Sequence, residues 1–181
     1  LAKITGLKLC EYYNNTYNTD FRCLMPTNLY GPNDNFDFNS SHVIPGMIAK
    51  FHNAKIKNLK NVKLWGTGKP KRDFLYVEDL SNAIIKCLKV SKIQYNSIIN
   101  KNYQFINVGS GEDISILKLA SIIKKVTGFT GSINFDKTKP DGTLRKLLDN
   151  SKIKKIGWTK KISLEKGIEN AYKWYRLNTS I

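Results

Sequence analysis

Two hydrophobic periods take turns along this 181-residue chain, and that alternation constrains its fold more than any other feature. Apolar positions recurring every three or four residues predict helices over 1–17, from Ser41 to about Lys55, from about Glu78 to Lys89, from Ser115 to a stop at Gly128, and from Ser163 onward. Between them lie short strand-like runs. "DFRCLMPT" (20–27) reads as a buried strand interrupted at Pro26, and "VKLW" (62–65), "DFLYV" (73–77), "QFINVGS" (104–110) and "SINFD" (132–136) follow. Strands alternating with helices indicate an α/β architecture. The segment 90–103 has no clear period and reads as a surface loop, and "GTGKPKR" (66–72) reads as a turn rich in breakers.

The helix faces can be assigned residue by residue. Ser41 is placed to cap the second helix, with Val43, Ile44, Met47, Ile48 and Phe51 inward and Pro45 tolerated in its first turn. Ile116, Leu119, Ile122, Ile123 and Val126 face inward on the helix after Ser115, and Leu164, Ile168, Ala171 and Tyr175 on the last. The chain opens on "LAKITGLK", where Leu1, Ile4, Leu7 and Cys10 already keep a three-residue spacing with no cap before them. This is expected of a helix already under way.

Composition narrows the class. At this length the chain can bury a sizeable core. It has no apolar run long enough to span a membrane and no signal-peptide pattern at its start. Cys10, Cys23 and Cys87 are odd in number, widely spaced and free of CxxC pairs. That suits a reducing, cytoplasmic location and argues against a disulfide framework or a metal site. The net charge of +16 permits anionic partners, but the lysines are scattered and their densest groups are short. Together with frequent Asn they read as solvated surface, without the aromatic–basic platform that would favour nucleic acid. No GxGxxG lies between a strand and a helix; Gly109-Ser-Gly111 comes late and lacks the third glycine, so it cannot by itself cradle a dinucleotide pyrophosphate.

The informative motifs are "MPTNLYGPNDNF" (25–36) and "RDFLYVEDL" (72–80). Together they resemble the extended short-chain dehydrogenase/reductases, in which the first stretch lies beside the nicotinamide and the second shapes a nucleotide-sugar pocket. "SSHVIPGMIAKFH" (40–52), "LWGTGKPKRDF" (64–74) and "KPDGTLRKLLD" (139–149) narrow the resemblance to the GDP-L-fucose synthases within that family. It runs from Leu1 to about Asn178, and its most specific parts are His-Val-Ile-Pro and Lys-Pro-Asp-Gly-Thr.

The resemblance implies NADP(H) as cofactor, a GDP-sugar as substrate and a homodimer for the complete enzyme. It implies that 1–30 and about 72–110 are end segments of a Rossmann domain, and that 31–71 and 111–181 are mainly a smaller α/β substrate-binding domain. The glycine-rich N-terminal half is not in this sequence. "LAK" matches the last two spacers and the Lys of a Tyr-x-x-x-Lys dyad, so Lys3 is implied to serve catalysis and to hold the nicotinamide ribose. On a helix the two side chains lie one turn apart, and a nearby ammonium makes a phenol a workable proton donor.

His42 matches the acid that returns a proton after carbon acid epimerisation, a task needing a donor near neutral pKa. The family's partner Cys is not matched by Cys10, Cys23 or Cys87, and His52 matches no family site and reads as surface. Pro26, Thr27, Asn28 and Leu29, with His42, match the cofactor side. Asn28, Lys50, Trp65, Arg72, Asp141 and Lys146 match substrate contacts: Lys50, Arg72 and Lys146 for the diphosphate, Trp65 as an aromatic surface, Asp141 as an acceptor. Considered singly, each has a plainer reading. Lys3 and Lys50 can be solvated helix lysines, Trp65 a core indole, and Asp141 part of a Pro-Asp-Gly turn. Leu144 departs from the family's Pro and is expected to loosen the loop that carries Lys146.

Two other functions remain open at this level. A related nucleotide-sugar 4-epimerase or 4,6-dehydratase would share the Tyr-Gly-Pro and Arg-Asp-Phe motifs, and a basic non-catalytic module would bind arbitrary DNA or RNA with steep salt dependence.

Overall fold

Strands and helices alternate in the computed structural model, which describes residues 1–99 and 103–179. Helix α1 (Ala2–Tyr17) leads into the short strands β1 (Cys23–Pro26) and β2 (Asn28–Tyr30), then helix α2 (Val43–Ile56). Strands β3 (Asn61–Trp65), β4 (Lys71–Arg72) and β5 (Phe74–Tyr76) precede helices α3 (Val77–Lys89) and α4 (Lys92–Ile98). Strands β6 (Phe105–Val108) and β7 (Ile114–Ser115) precede α5 (Ile116–Thr127). The chain continues through β8 (Ser132–Asp136), β9 (Arg145–Lys146), α6 (Ser151–Lys155) and α7 (Leu164–Asn178).

Four strand pairs are parallel: β1 with β6, β2 with β5, β3 with β8, and β4 with β9. Parallel neighbours need long crossovers, which the intervening helices supply. β4 sits between β7, antiparallel, and β9, parallel, so that Arg72 pairs with Lys146.

Two hydrophobic cores result, and β5 serves both. Phe74 and Tyr76 face the larger core with Ile48 and Phe51 of α2, Leu119 and Ile123 of α5, and Ile168 of α7. Leu75, between them, faces the smaller core with Ile106 and Val108 of β6, Ala83 of α3 and Ile153 of α6. Period-2 alternation on one short strand thus joins the two. Each fully buried Ile contributes about 1.5–3 kcal/mol by leaving water.

Helix ends follow local chemistry. Ser115 Oγ accepts the Lys118 amide at 3.2 Å and Ser163 Oγ accepts the Lys166 amide at 3.3 Å, as expected of caps. Gly128 ends α5 in the left-handed region (φ 70°), where a side chain would be strained.

The expectations for α2 need correcting in three places. His42, not Ser41, is the N-cap, and no side chain caps that end. Val43 is exposed, because it turns toward a cleft and not toward the core. His52 is buried and its Nδ1 lies 2.9 Å from the Tyr172 hydroxyl. It follows Ile48 by one turn, on the face that meets α7.

Elsewhere the differences come from segments too short to show a period. The part of 90–103 that is described contains α4, capped by Ser91 Oγ accepting the Gln94 amide at 3.1 Å and anchored by buried Tyr95. Residues 100–102 of that expected loop lie outside the described residues. Two-residue strands β4, β7 and β9 and the five-residue α6 carry no legible pattern either. The first strand is shorter than 20–27 and half-exposed, and it runs through Pro26, which is paired with Val108. Among the described residues β1 has no neighbour on its other edge, so the missing Pro N–H costs no ladder bond. The expected loop after Thr27 opens with strand β2. Among the described residues no helix is long and apolar enough to cross a membrane, and no cluster of three metal-ligating side chains occurs.

Candidate active site

One face of α2 is written for the core and the other for a cleft. Ile44, Ile48, Phe51 and His52 point inward, while His42, Gly46 and Lys50, with Val43 and Met47, line a cleft of about 370 Å³. Opposite them stand Trp65 at the end of β3, Arg72 in β4, and the Pro140–Gly142 turn. Four of the expected substrate residues, Lys50, Trp65, Arg72 and Asp141, therefore share this cleft with His42.

Each is held by its own local structure. Trp65 is 70% exposed, so it is no core indole, and the Lys50 ammonium lies 5.9 Å from its ring centroid. Arg72 Nη1 donates to the carbonyls of Lys71 (2.7 Å) and Thr143 (2.5 Å), bracing the 140–144 segment against β4. Asp141 accepts from the Thr67 amide (2.8 Å) and the Thr67 hydroxyl (2.6 Å). Those two bonds hold its carboxyl below the usual range. Thr67 can present both donors because Gly66 (φ 79°) and Gly68 (φ 74°) turn the chain through left-handed conformations on either side of it. Lys146 is exposed and does not line the cleft, although its Cα is paired with that of Arg72. The loop before it is pinned, not loosened: the Lys71 amide donates to the Leu144 carbonyl at 2.8 Å.

A second cleft, of about 470 Å³, opens beyond the carboxyl end of β1, where Thr27, Asn28 and Leu29 face His42 and Val77. The cofactor-side residues are tied down there. Thr27 Oγ1 (3.1 Å) and Asn28 Nδ2 (2.8 Å) both donate to the Asp73 carbonyl. Pro26, paired in β1, is not part of the lining, and Lys3, exposed in the first turn of α1, lines neither cleft. His42 is common to both clefts, and it is the one imidazole in either lining.

Sequence reasoning missed three residues that organise these clefts. Asp73 is completely buried and its Oδ1 accepts from Ser110, from the amide at 2.9 Å and the hydroxyl at 2.6 Å, while Oδ2 has no partner among the described residues. Burial pushes its carboxyl up. Thr67 is the second, and "GTG" signalled only a turn. The third is Lys139, whose ammonium stands 5.7 Å from the Trp65 centroid, a position set by tertiary structure alone.

The second cleft suits one end of a dinucleotide. It lies beyond the carboxyl end of a parallel strand, the usual place for such a ligand in open α/β sheets. Its loop is anchored through Asp73 so that Thr27, Asn28 and Leu29 can face a ring. A glycine-rich cradle for the pyrophosphate is not contained in these 181 residues.

Known proteins share this layout. The NAD dependent epimerase/dehydratase family matches residues 1–100. The chain is 46% identical, over 98% of its length, to a GDP-L-fucose synthase of Escherichia coli, and covers 56% of that protein. Among solved structures it superposes with a TM-score of 0.86 on a GDP-6-OMe-4-keto-L-xylo-heptose reductase from C. jejuni, at 34% identity, covering 98% of this chain and 60% of the other. A GDP-mannoheptose C4 reductase from Campylobacter jejuni with NADP bound gives a TM-score of 0.82 at 36% identity, covering 97% and 58%. The chain spans about half the length of the curated relatives it matches.

Proposed function

This chain belongs to the NAD dependent epimerase/dehydratase family, and from that premise we propose that its two clefts are the sugar-nucleotide side and the nicotinamide side of one active site. The whole protein would convert GDP-4-keto-6-deoxy-D-mannose to GDP-L-fucose by 3,5-epimerisation and reduction of the 4-keto group. The observation that carries this reading is His42, which the fold places in the lining of both clefts.

The chemistry of each side chain fits its place. Lys50 and Arg72 are placed to meet the diphosphate from two walls of the first cleft, with Lys146 beside Arg72 in the strand register. Trp65 offers an apolar face, and the Asp141 carboxylate, which keeps free lone pairs after binding Thr67, can accept from sugar or base. Protons next to the C4 ketone are acidic. Their removal, by a base outside these 181 residues, gives an enolate, and reprotonation on the opposite face needs an acid at the sugar; His42 supplies it. Asn28, with Thr27 and Leu29, forms the wall beside the nicotinamide, with Pro26 behind it in β1, and Asn28 is also proposed to reach the sugar. NADPH, when bound there, supplies the hydride for C4. Lys3 holds the nicotinamide ribose and acidifies the phenol of a Tyr-x-x-x-Lys pair, whose Tyr is not among these 181 residues.

The domain division is proposed with one change: the smaller core, around β1 and β6, is read as the Rossmann end and takes in Ile153, Ile156 and Trp158 of 111–181, and the larger core is read as the substrate-binding part. The complete enzyme is proposed to be a homodimer in a reducing cytoplasm. Support for the location comes from Cys10, Cys23 and Cys87, which are odd in number, widely spaced and free of CxxC pairs.

The test is binding and turnover with the 181-residue chain. Calorimetric titration should show saturable GDP binding that UDP does not match, and NADPH should not be consumed with the ketosugar. Equal affinity for GDP and UDP would contradict the reading, and steeply salt-dependent binding to arbitrary DNA would replace it with a nucleic-acid module.

The likeness to a GDP-keto-heptose reductase favours a second reading in which the complete enzyme only reduces a GDP-linked ketosugar. Under it, deuterium from solvent would not enter the sugar at C3 or C5.

A further inference from the structure

Trp65 is flanked by two ammonium groups, and only one belongs to the residues already placed in the site. Lys50 Nζ lies 5.9 Å and Lys139 Nζ 5.7 Å from the indole centroid, on an aromatic side chain that is mostly exposed at the cleft rim. Lys139 reaches it from the segment between β8 and the Asp141 turn, next to Pro140 of the lining though not itself part of it.

That segment is fixed at both ends. At one end Asp136, the register partner of Trp65, accepts from the Thr138 hydroxyl at 2.6 Å and amide at 3.1 Å and pairs with Lys63 at 2.9 Å. These contacts, with Thr138 foremost, lower its carboxyl to about 2. The Lys139 amide also donates to the Asp136 carbonyl at 3.2 Å. At the other end Asp141 is bound to Thr67. Asp136 is thereby committed to Lys63, away from the cleft lysines, while Asp141 keeps its charge within the lining. Among the described residues none of the seven ion pairs involves Lys50, Arg72, Lys139 or Lys146. Lys50, Arg72 and Lys139 thus outnumber Asp141, the one carboxylate in the cleft lining, and that cationic excess raises its affinity for an anion.

We propose that Lys139 is a nucleotide-binding residue, the cation that, with Lys50, brackets Trp65 and holds the diphosphate of the substrate over the indole. The proposal rests on the nucleotide-sugar reading above and adds to it a residue that arrives from the β8 side of the cleft. Lys50 and Arg72 then grip the anion from α2 and β4, while Lys139 closes the third side. A phosphate oxygen replaces the ring as the partner of each ammonium, and the indole is left as the apolar floor.

The experiment compares the 181-residue chain with Lys139→Met, which keeps the aliphatic stem, and Lys139→Arg, which keeps the charge, by calorimetric titration with GDP and with guanosine. GDP affinity is expected to fall roughly tenfold in K139M, the scale of one charge-assisted contact, and to remain within about twofold in K139R. The K139M loss should shrink as salt is raised, and guanosine binding should be the same in all three. Equal GDP affinity in K139M and the parent chain, or a parallel loss for guanosine, would overturn the assignment of Lys139 alone. If the parent chain binds no GDP at all, the nucleotide-sugar reading falls and this inference with it. Circular dichroism of K139M, matching the parent, shows that any loss is not unfolding.

Discussion

Asp73 keeps a carboxyl group out of water, with one oxygen satisfied by Ser110 and the other unpartnered among the described residues. Its main-chain carbonyl, meanwhile, anchors Thr27 and Asn28. Burial favours the neutral acid, so its folded pKa lies above the unfolded value. The sign of the linkage follows: the stability Asp73 contributes is present in acid and is lost as pH rises through the folded pKa. Asp73→Asn removes that cost, so its urea midpoint relative to the parent chain should be higher at pH 7 than at pH 4. A difference that is larger at pH 4 would contradict this. His52 behaves in the opposite sense. Burial first, and the nearby Arg176 and Lys55 charges second, hold its pKa down, so its contribution is lost as pH falls below the unfolded value. Neither residue was legible as buried. His52 could have been found by continuing the Ile44, Ile48 stripe one turn, but Asp73 could not, because what buries it is the approach of Ser110 from a distant loop.

Among the secondary structure elements, α2 matters most to the site because its two faces have different tasks. The apolar stripe Ile44, Met47, Ile48 and Phe51 was readable from period alone. The cleft face was not, since His42, Gly46 and Lys50 share no polarity pattern. The short strands β4, β7 and β9 were likewise invisible, although β4 carries Arg72 and β9 sets Lys146 beside it. α2 packs on α5, whose start depends on one hydroxyl. Ser115→Ala should cost about 1 kcal/mol, read as a lower urea midpoint with an unchanged slope. An unaltered midpoint would show that Ser115 is not the effective cap. Gly128→Ala, at a left-handed position, should also destabilise the chain, by about 1 kcal/mol or more.

At the scale of the molecule, two cores joined through β5 hold two clefts that meet at His42. The α/β class followed from alternating periods, and the motifs pointed to most of the residues that the fold gathers: Lys50, Trp65, Arg72, Asp141 and His42 in one cleft, Thr27, Asn28 and Leu29 with His42 in the other. Lys3 and Pro26 stand outside both linings, and Lys146 lies beyond the first. Lys139 lay within the Lys-Pro-Asp-Gly-Thr motif, but its relation to Trp65 depends on the pairing of β3 with β8 and no local spacing records that. In the proposed function the first cleft holds a sugar nucleotide with the sugar directed at His42. A crystal structure of the chain with GDP-mannose tests it most directly. The diphosphate should lie within about 3 Å of the Lys50 ammonium and the Arg72 guanidinium, with the mannose toward the His42 imidazole. A nucleotide bound outside this cleft, or one whose sugar points away from His42, would contradict it.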